Sequence, residues 1–205
     1  MYPYKKTKIY FSPWTALLLA AFIYFASPEL LAALLFAALA HELGHYAMLR
    51  KMNVAVTQIH ISPFGAKIST DDRKRLSYGG EILTVLAGPI SNLALALLLG
   101  YMGSYSEVAY LFAGAQLVLG LFNLLPIHPL DGSRFLWLLT AWCTEPFTAD
   151  RISFKIHLFT TTILLLVAIL LLYIEKGSPF LLLGIAGPLW YGWEQKRLVK
   201  PRGNR

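Results

Sequence analysis

Long apolar runs dominate this sequence and limit the solvent in which it can fold. Six mostly hydrophobic stretches follow one another along the chain, at residues 10–26, 30–49, 82–102, 108–125, 156–174 and 179–193. Each approaches or reaches the ~17–25 residues that an α-helix needs to cross a bilayer. Only 14% of the 205 residues are charged, against about 25% in soluble domains. The sequence therefore predicts an all-α polytopic membrane protein with about six transmembrane helices.

Basic residues lie in short groups beside these runs and indicate their orientation. They precede the first run, end the second, separate the second from the third, precede the fifth and follow the sixth: Lys5, Lys6, Lys8, Arg50, Lys51, Lys67, Arg73, Lys74, Arg75, Arg151, Lys155, Lys196, Arg197, Lys200, Arg202 and Arg205. The opposite side has Lys176 beside Glu29, Glu107 and Glu175. Because cytoplasmic loops are enriched in Lys and Arg, both termini are expected in the cytoplasm.

The net charge of +7 could also indicate a nucleic-acid partner. The basic groups are not interleaved with aromatic residues as a nucleic-acid surface requires, so the lipid bilayer is the expected partner instead. The first apolar run could be a secretory signal peptide, but no small-x-small cleavage site follows it, and a retained helix is expected. No Pro-, Gly- or Ser-rich linker divides residues 1–205, which indicates a single membrane-embedded domain with a core at about 30–140.

One stretch between the second and third runs differs from both helices and simple loops. Residues 54–61 are rich in β-branched side chains, residues 62–65 read Ser-Pro-Phe-Gly, and residues 66–69 could return as a second strand. This pattern predicts a small membrane-associated β-hairpin. Its edge could bind an extended peptide, with Ile59, Ile61 and Gly65 as substrate-binding residues. A purely structural hairpin is the alternative.

The second apolar run contains the sequence His41-Glu42-Leu43-Gly44-His45. Residues four apart share one face of an α-helix, so His41 and His45 can reach one metal ion. Glu42 lies beside that face and can act on a metal-activated water as a general base. This is the spacing of zinc peptidases. A chance arrangement is the alternative, but an ionised side chain at mid-membrane costs about 2.5–3.5 kcal/mol, and metal binding would explain all three polar groups.

Catalytic zinc generally has three protein ligands and an open position. Asp131 is the leading candidate for the third ligand, because it follows a segment with two prolines and precedes a glycine. Irregular backbone at membrane depth is tolerated only where it is enclosed by protein or lines a cavity. His128 remains an alternative ligand. His60 is interpreted as a surface histidine or as one that supports a metal ligand, and His157 as interfacial.

Three motifs occur in a fixed order: HExxH at residues 41–45, AGPxxN at 87–92 and NxxPxxxLDG at 123–132. In this order, within apolar runs, they resemble the site-2 protease family of intramembrane zinc metalloproteases. The Ser-Pro-Phe-Gly turn and the six-run layout are most like the stage IV sporulation FB-type branch. The sequence shows neither the PDZ insert of other branches nor the C-terminal regulatory domain of the sporulation enzyme.

The resemblance implies that His41, His45 and Asp131 bind Zn²⁺ and that Glu42 is the catalytic base. Asn123, with Pro129 in the same motif, would bind the substrate. The implied activity is hydrolysis of membrane-embedded or membrane-tethered proteins near the cytoplasmic face of a bacterial cell membrane. A pro-sigma or anti-sigma factor is the implied kind of substrate, and membrane regulators or a second copy of the chain are further partners.

Two other functions are weighed against this one. Some zinc transporters carry HExxHE with a second polar motif in the preceding helix, but Tyr46 occupies the sixth position here, and residues 10–26 contain no His, Asp or Glu. An inactive protease-like scaffold would lack a ligand or the base, and neither is missing.

Overall fold

The computed structural model describes residues 8–11, 20, 23–24, 26–62, 65–70, 76–103 and 106–175 of the chain. These residues divide into two compact units, Met1–Asn123 and Leu124–Arg205. The predicted helix at 10–26 lies largely outside the described residues, and the predicted helix at 179–193 lies entirely outside them.

Helix α1, Pro28–Lys51, carries the HExxH sequence, and both of its ends have defined caps. At the start, the Ser27 hydroxyl accepts a hydrogen bond from the Leu30 amide at 3.2 Å, which satisfies one of the free N–H groups of the first turn. At the end, Asn53 adopts a positive φ of 54°, and the Val54 amide donates to the Leu49 carbonyl at 2.9 Å. Asn tolerates this left-handed conformation, and the resulting C-terminal motif turns the chain sharply towards the next strand.

Helices α2, Tyr78–Met102, and α3, Glu107–Asn123, complete the helical part of the first unit. All three helices pack against one another. Small residues line the contacts: Ala33, Ala37 and Ala115 form a buried cluster. A Cβ at Gly44 would lie 2.5 Å from the carbonyl oxygen of Ala87, so glycine allows α1 and α2 to approach closely. Small residues at close helix contacts are typical of membrane bundles.

The first unit also contains a three-stranded sheet, which is formed by strands β1, Lys8–Phe11, β2, Val56–Ser62, and β3, Gly65–Thr70. The strand order is β1-β2-β3. The β1 strand pairs with β2 in parallel, with Tyr10 opposite His60, and β2 pairs with β3 antiparallel, with His60 opposite Lys67.

Two predictions need correction here. Tyr10 lies in β1 rather than at the start of a membrane helix. Ile59 and Ile61 belong to the middle strand, where each has a partner in both neighbouring strands. The edge predicted to be open at these two residues is therefore occupied by β1, which pairs with β2 from far away in the sequence.

The second unit contains helices α4, Asp131–Cys143, and α5, Pro146–Glu175. They pack against each other, and the Trp137 indole N–H donates to the Asp150 carboxylate at 2.6 Å. Helix α4 was not predicted, since it is shorter than a membrane span. Helix α5 begins at Pro146, ten residues before the predicted apolar run at 156. The prediction located only apolar residues, and the first turns of this helix are polar.

Three of the described helices are long and apolar enough to cross a membrane: Pro28–Lys51, Tyr78–Met102 and Pro146–Leu170, with mean hydropathies of 1.4, 2.1 and 1.9. Helix α3 is apolar but has only 17 residues. Large hydrophobic side chains are exposed along these helices, such as Leu97 at 78% and Leu166 at 61%. Such extensive apolar exposure is expected of a surface that faces lipid rather than water.

Candidate metal centre

The two histidines of α1 meet through one nitrogen of each ring. His41 Nε2 lies 3.1 Å from His45 Nε2, and the rings are nearly perpendicular, with centroids 4.7 Å apart. His41 is buried, with 6% of its surface exposed. The i, i+4 spacing predicted this shared face, and the structure confirms that the two rings converge.

The other nitrogen of each ring is held by an oxygen of α2. His41 Nδ1 lies 2.7 Å from Asn92 Oδ1, and His45 Nδ1 lies 2.8 Å from the carbonyl oxygen of Thr84. Both oxygens only accept hydrogen bonds, so Nδ1 of each ring is the donor. A neutral imidazole has one N–H, and this assignment leaves each Nε2 with an unprotonated lone pair.

The orientation of the Asn92 amide is itself fixed by its neighbours. Its Nδ2 group donates to the Ala37 carbonyl at 2.9 Å and to Gln116 Oε1 at 2.5 Å. The Ala37 carbonyl can only accept, so the nitrogen must face it and the oxygen must face His41. Asn92 and Gln116 are fully buried, so the network is protected from competing water.

This arrangement fits a metal ion. Two lone pairs pointing at each other across 3.1 Å repel unless a cation lies near both. Two imidazoles bound tetrahedrally at 2.0–2.1 Å from zinc would have their nitrogens about 3.3 Å apart, close to the observed separation. Hydrogen bonding of the non-ligating nitrogen is also typical of metal-binding histidines.

Gly88 of α2 provides the space beside these rings. A Cβ at this position would overlap His45 Nε2 and lie 2.9 Å from His41 Cε1. Any larger residue would push the imidazoles out of position. The glycine of the AGPxxN motif is therefore required sterically by the pair of histidines.

Glu42, the predicted base, follows His41 directly in α1 and is partly buried. Successive residues of an α-helix differ by about 100° around the axis. The carboxylate therefore leaves the helix beside the histidine face rather than on it. This placement suits a group that acts next to a metal ion without binding it.

In the second unit, Asp131 is the first residue of α4 and is partly buried. A carboxylate is electrostatically favoured at a helix N-terminus. The segment before it is held by hydrogen bonds, including one from the His128 backbone N–H to His157 Nδ1 at 3.1 Å. His157 is 6% exposed, so this hydrogen bond holds the segment from within the unit.

The predicted substrate-binding residues have separate positions in the fold. Asn123 is the last residue of α3, and its Nδ2 group donates to the Leu119 carbonyl at 3.0 Å. Pro129 is exposed in the segment before α4, and Gly65 is the first residue of β3.

Thr84 and Gln116 were not predicted to belong to the site. A backbone carbonyl has no sequence signature, but a lone glutamine in an apolar run was a signal for Gln116.

Residues 29–108 match the family model described as peptidase family M50. They include α1, α2, β2 and β3, and so both histidines and their hydrogen-bond partners Thr84 and Asn92. Over these residues the chain is similar to peptidase family M50. The resemblance predicted from the ordered motifs is confirmed.

Individual relatives agree with this similarity. Stage IV sporulation protein FB of Bacillus subtilis is 24% identical over 199 residues, which cover 95% of this chain and 69% of that protein. A zinc metalloprotease of Methanocaldococcus jannaschii is 29% identical over 103 residues, which cover 47% of this chain and 30% of that protein.

A solved site-2 protease from Methanocaldococcus jannaschii has the same fold, with a TM-score of 0.67 and 23% identity, over 95% of this chain and 93% of that one. Together with three membrane-length helices, the fold is that of an integral membrane protein.

Proposed function

We propose that this chain is a zinc metalloprotease that hydrolyses peptide bonds of membrane-embedded or membrane-tethered proteins near the cytoplasmic face. The observation that carries the proposal is the pair of Nε2 atoms of His41 and His45, 3.1 Å apart, with each Nδ1 anchored by an oxygen. The similarity to peptidase family M50 supports peptide hydrolysis. Zinc is supported by a relative that is named a zinc metalloprotease and by the imidazole donors themselves.

Asp131 is proposed as the third ligand. Two imidazoles and one carboxylate form an established ligand set for catalytic zinc. The acidic side chain at the start of α4 follows the proline-containing segment that His157 braces. His128 in that segment is the alternative ligand.

Bound zinc would supply Lewis acidity, polarising a peptide carbonyl and acidifying a nearby water. The residues of the chain then have distinct tasks. The Glu42 carboxylate accepts the proton of the attacking water and returns it to the leaving amine, as a general base that becomes a general acid. Asn92 and Thr84 hold the two imidazoles in the tautomer that leaves Nε2 able to bind a metal.

Substrate is proposed to bind as an added strand. A helical peptide must unwind before its carbonyls become accessible, and the freed backbone groups need new partners inside a membrane. Strand addition provides them. Since β2 is the middle strand, the addition is proposed along β3, which begins at Gly65, with Ile59 and Ile61 supporting it from β2. Asn123 and Pro129 are proposed to contact the scissile region.

The finer topology and the substrate class belong to the same proposal. The charge pattern of the sequence supports six membrane helices with both termini in the cytoplasm of a bacterial cell. The similarity to stage IV sporulation protein FB supports a membrane-tethered substrate such as a pro-sigma factor. Membrane regulators or a second copy of the chain are proposed as further partners.

The test begins with the metal content of the detergent-purified protein. Wild type is expected to contain about one zinc per chain, His41→Ala to lose it, and the matched control His60→Ala to retain it. Cleavage of membrane-tethered candidate substrates by the zinc-loaded wild type completes the test. Zinc uptake by proteoliposomes without any cleavage would instead identify a transporter.

A further inference from the structure

Gln116 is a fully buried polar residue in the apolar helix α3. Its Oε1 accepts a hydrogen bond from Asn92 Nδ2 at 2.5 Å. No described residue accepts a hydrogen bond from Gln116 Nε2. A methionine of similar length would remove this donor but would also take the acceptor from one buried Asn92 N–H. The polar contact that the glutamine makes is therefore with Asn92, the residue that holds His41.

We propose that Gln116 is a positioning residue of the metal centre, acting through Asn92; this inference rests on the proposed zinc function. The Gln116 oxygen accepts from Asn92 Nδ2 and so holds the carboxamide at the place where its Oδ1 meets His41. If that amide turned over, its nitrogen would face the donor His41 Nδ1–H. Its oxygen would face the Ala37 carbonyl, which only accepts, so both of these contacts would oppose like groups.

The effect reaches the metal ligand through proton placement. Asn92 Oδ1 accepts from His41 Nδ1–H at 2.7 Å, which keeps the proton on Nδ1 and leaves Nε2 unprotonated. Without Gln116, only the Ala37 carbonyl holds Asn92 Nδ2. The carboxamide is then held less firmly, its Oδ1 meets His41 Nδ1–H for less of the time, and the His41 ring is less well directed at the metal. Zinc affinity falls although no ligand has changed.

The test is the zinc affinity of the full-length purified protein, measured by competition with a chelator of known affinity. Residues that hydrogen-bond a ligand typically change metal affinity by about 10–100-fold. Gln116→Met is expected to weaken binding by about tenfold, the lower end of that range. Leu119→Met is the matched control, since Leu119 lies in the same helix and packs on the Ala33, Ala37 and Ala115 cluster; its affinity should equal wild type.

A double-mutant cycle separates positioning from packing. Once Asn92→Ala has removed the intermediary, adding Gln116→Met should cause no further loss of affinity, whereas a packing defect would add its own loss. Gln116→Glu retains an acceptor oxygen and should bind zinc more tightly than Gln116→Met. Additive losses, equal affinity of these two variants, or wild-type affinity in Gln116→Met would each overturn the inference. Failure of wild type to bind zinc would instead overturn the proposed function.

Discussion

The Nδ1 atom of His41 and the Oδ1 atom of Asn92 are 2.7 Å apart although 51 residues separate them in the sequence. This hydrogen bond joins the HExxH helix to the AGPxxN helix at the ring that is proposed to bind zinc. It gives the second motif a task that its sequence alone did not reveal: the asparagine sets the proton position of the first histidine. Chemistry on α1 therefore depends on packing against α2.

Replacing Glu42 with glutamine should leave zinc bound but abolish proteolysis. Glutamine has nearly the same shape but cannot take up a proton, so the cleavage rate should fall by at least the ~10²–10⁴-fold typical of general bases. Zinc content and cleavage rate are measured on the same preparation. Glu29→Gln, at an exposed residue in the first turn of the same helix, is the control and should cleave normally. Retained cleavage in Glu42→Gln would contradict the assigned role.

Asp131→Ala should lower zinc affinity by more than the ~10–100-fold that is typical when a residue that hydrogen-bonds a metal ligand is lost. With only two protein ligands left, the ion is open to exchange. His128→Ala should have little effect, since it is the backbone N–H of His128 that bonds His157. Metal analysis after dialysis against a chelator ranks the two variants. The opposite ranking would make His128 the ligand.

Gly88→Ala should impair zinc binding without altering any polar group. The added Cβ would overlap His45 Nε2, and such overpacking typically costs about 1–3 kcal/mol, or roughly 5- to 150-fold in affinity. Gly114→Ala is the matched control, because a Cβ at Gly114 meets nothing within 4 Å. Equal zinc affinities in the two variants would show that the histidine pair has more space than the structure gives it.

Reporter fusions should give a cytoplasmic signal at residues 71–75 and after residue 205, and an external signal near Glu107 and Glu175. The expectation follows from the accumulation of Lys and Arg on one side. Paired phosphatase and fluorescent reporters at each position provide the measurement. A cytoplasmic signal near Glu107 would exclude the six-helix topology.

Proline substitutions through Gly65–Thr70 should impair cleavage at positions where the β3 amide points away from β2, with zinc content unchanged. Proline removes the donor that an added strand would need. Proline at Ile59 or Ile61 in the middle strand should instead disrupt the sheet itself, which a limited-proteolysis comparison would detect. Wild-type cleavage throughout the β3 series would rule out strand addition there.

The sequence was sufficient for the features that depend on local spacing. The i, i+4 spacing of His41 and His45 was enough to place both on one face of a helix. The apolar runs located α1, α2 and α3. Non-local features were not accessible in the same way. The parallel pairing of Tyr10 with His60 joins a four-residue strand to a distant one, whereas the apolar run that begins at Tyr10 favoured a helix. The burial of His157 depends on which face of α5 meets α4, which periodicity alone did not establish.

The positive-φ turn at Asn53 lies between the proposed metal ligand His45 and Val56, the first residue of β2, which are only eleven residues apart. The Leu49–Val54 hydrogen bond and their shared apolar cluster make this connection stiff. A peptide paired with the sheet would thus lie at a fixed distance from the proposed metal site. We therefore expect the cleavage position to depend more on its distance along the substrate from the paired segment than on the side chains at the scissile bond.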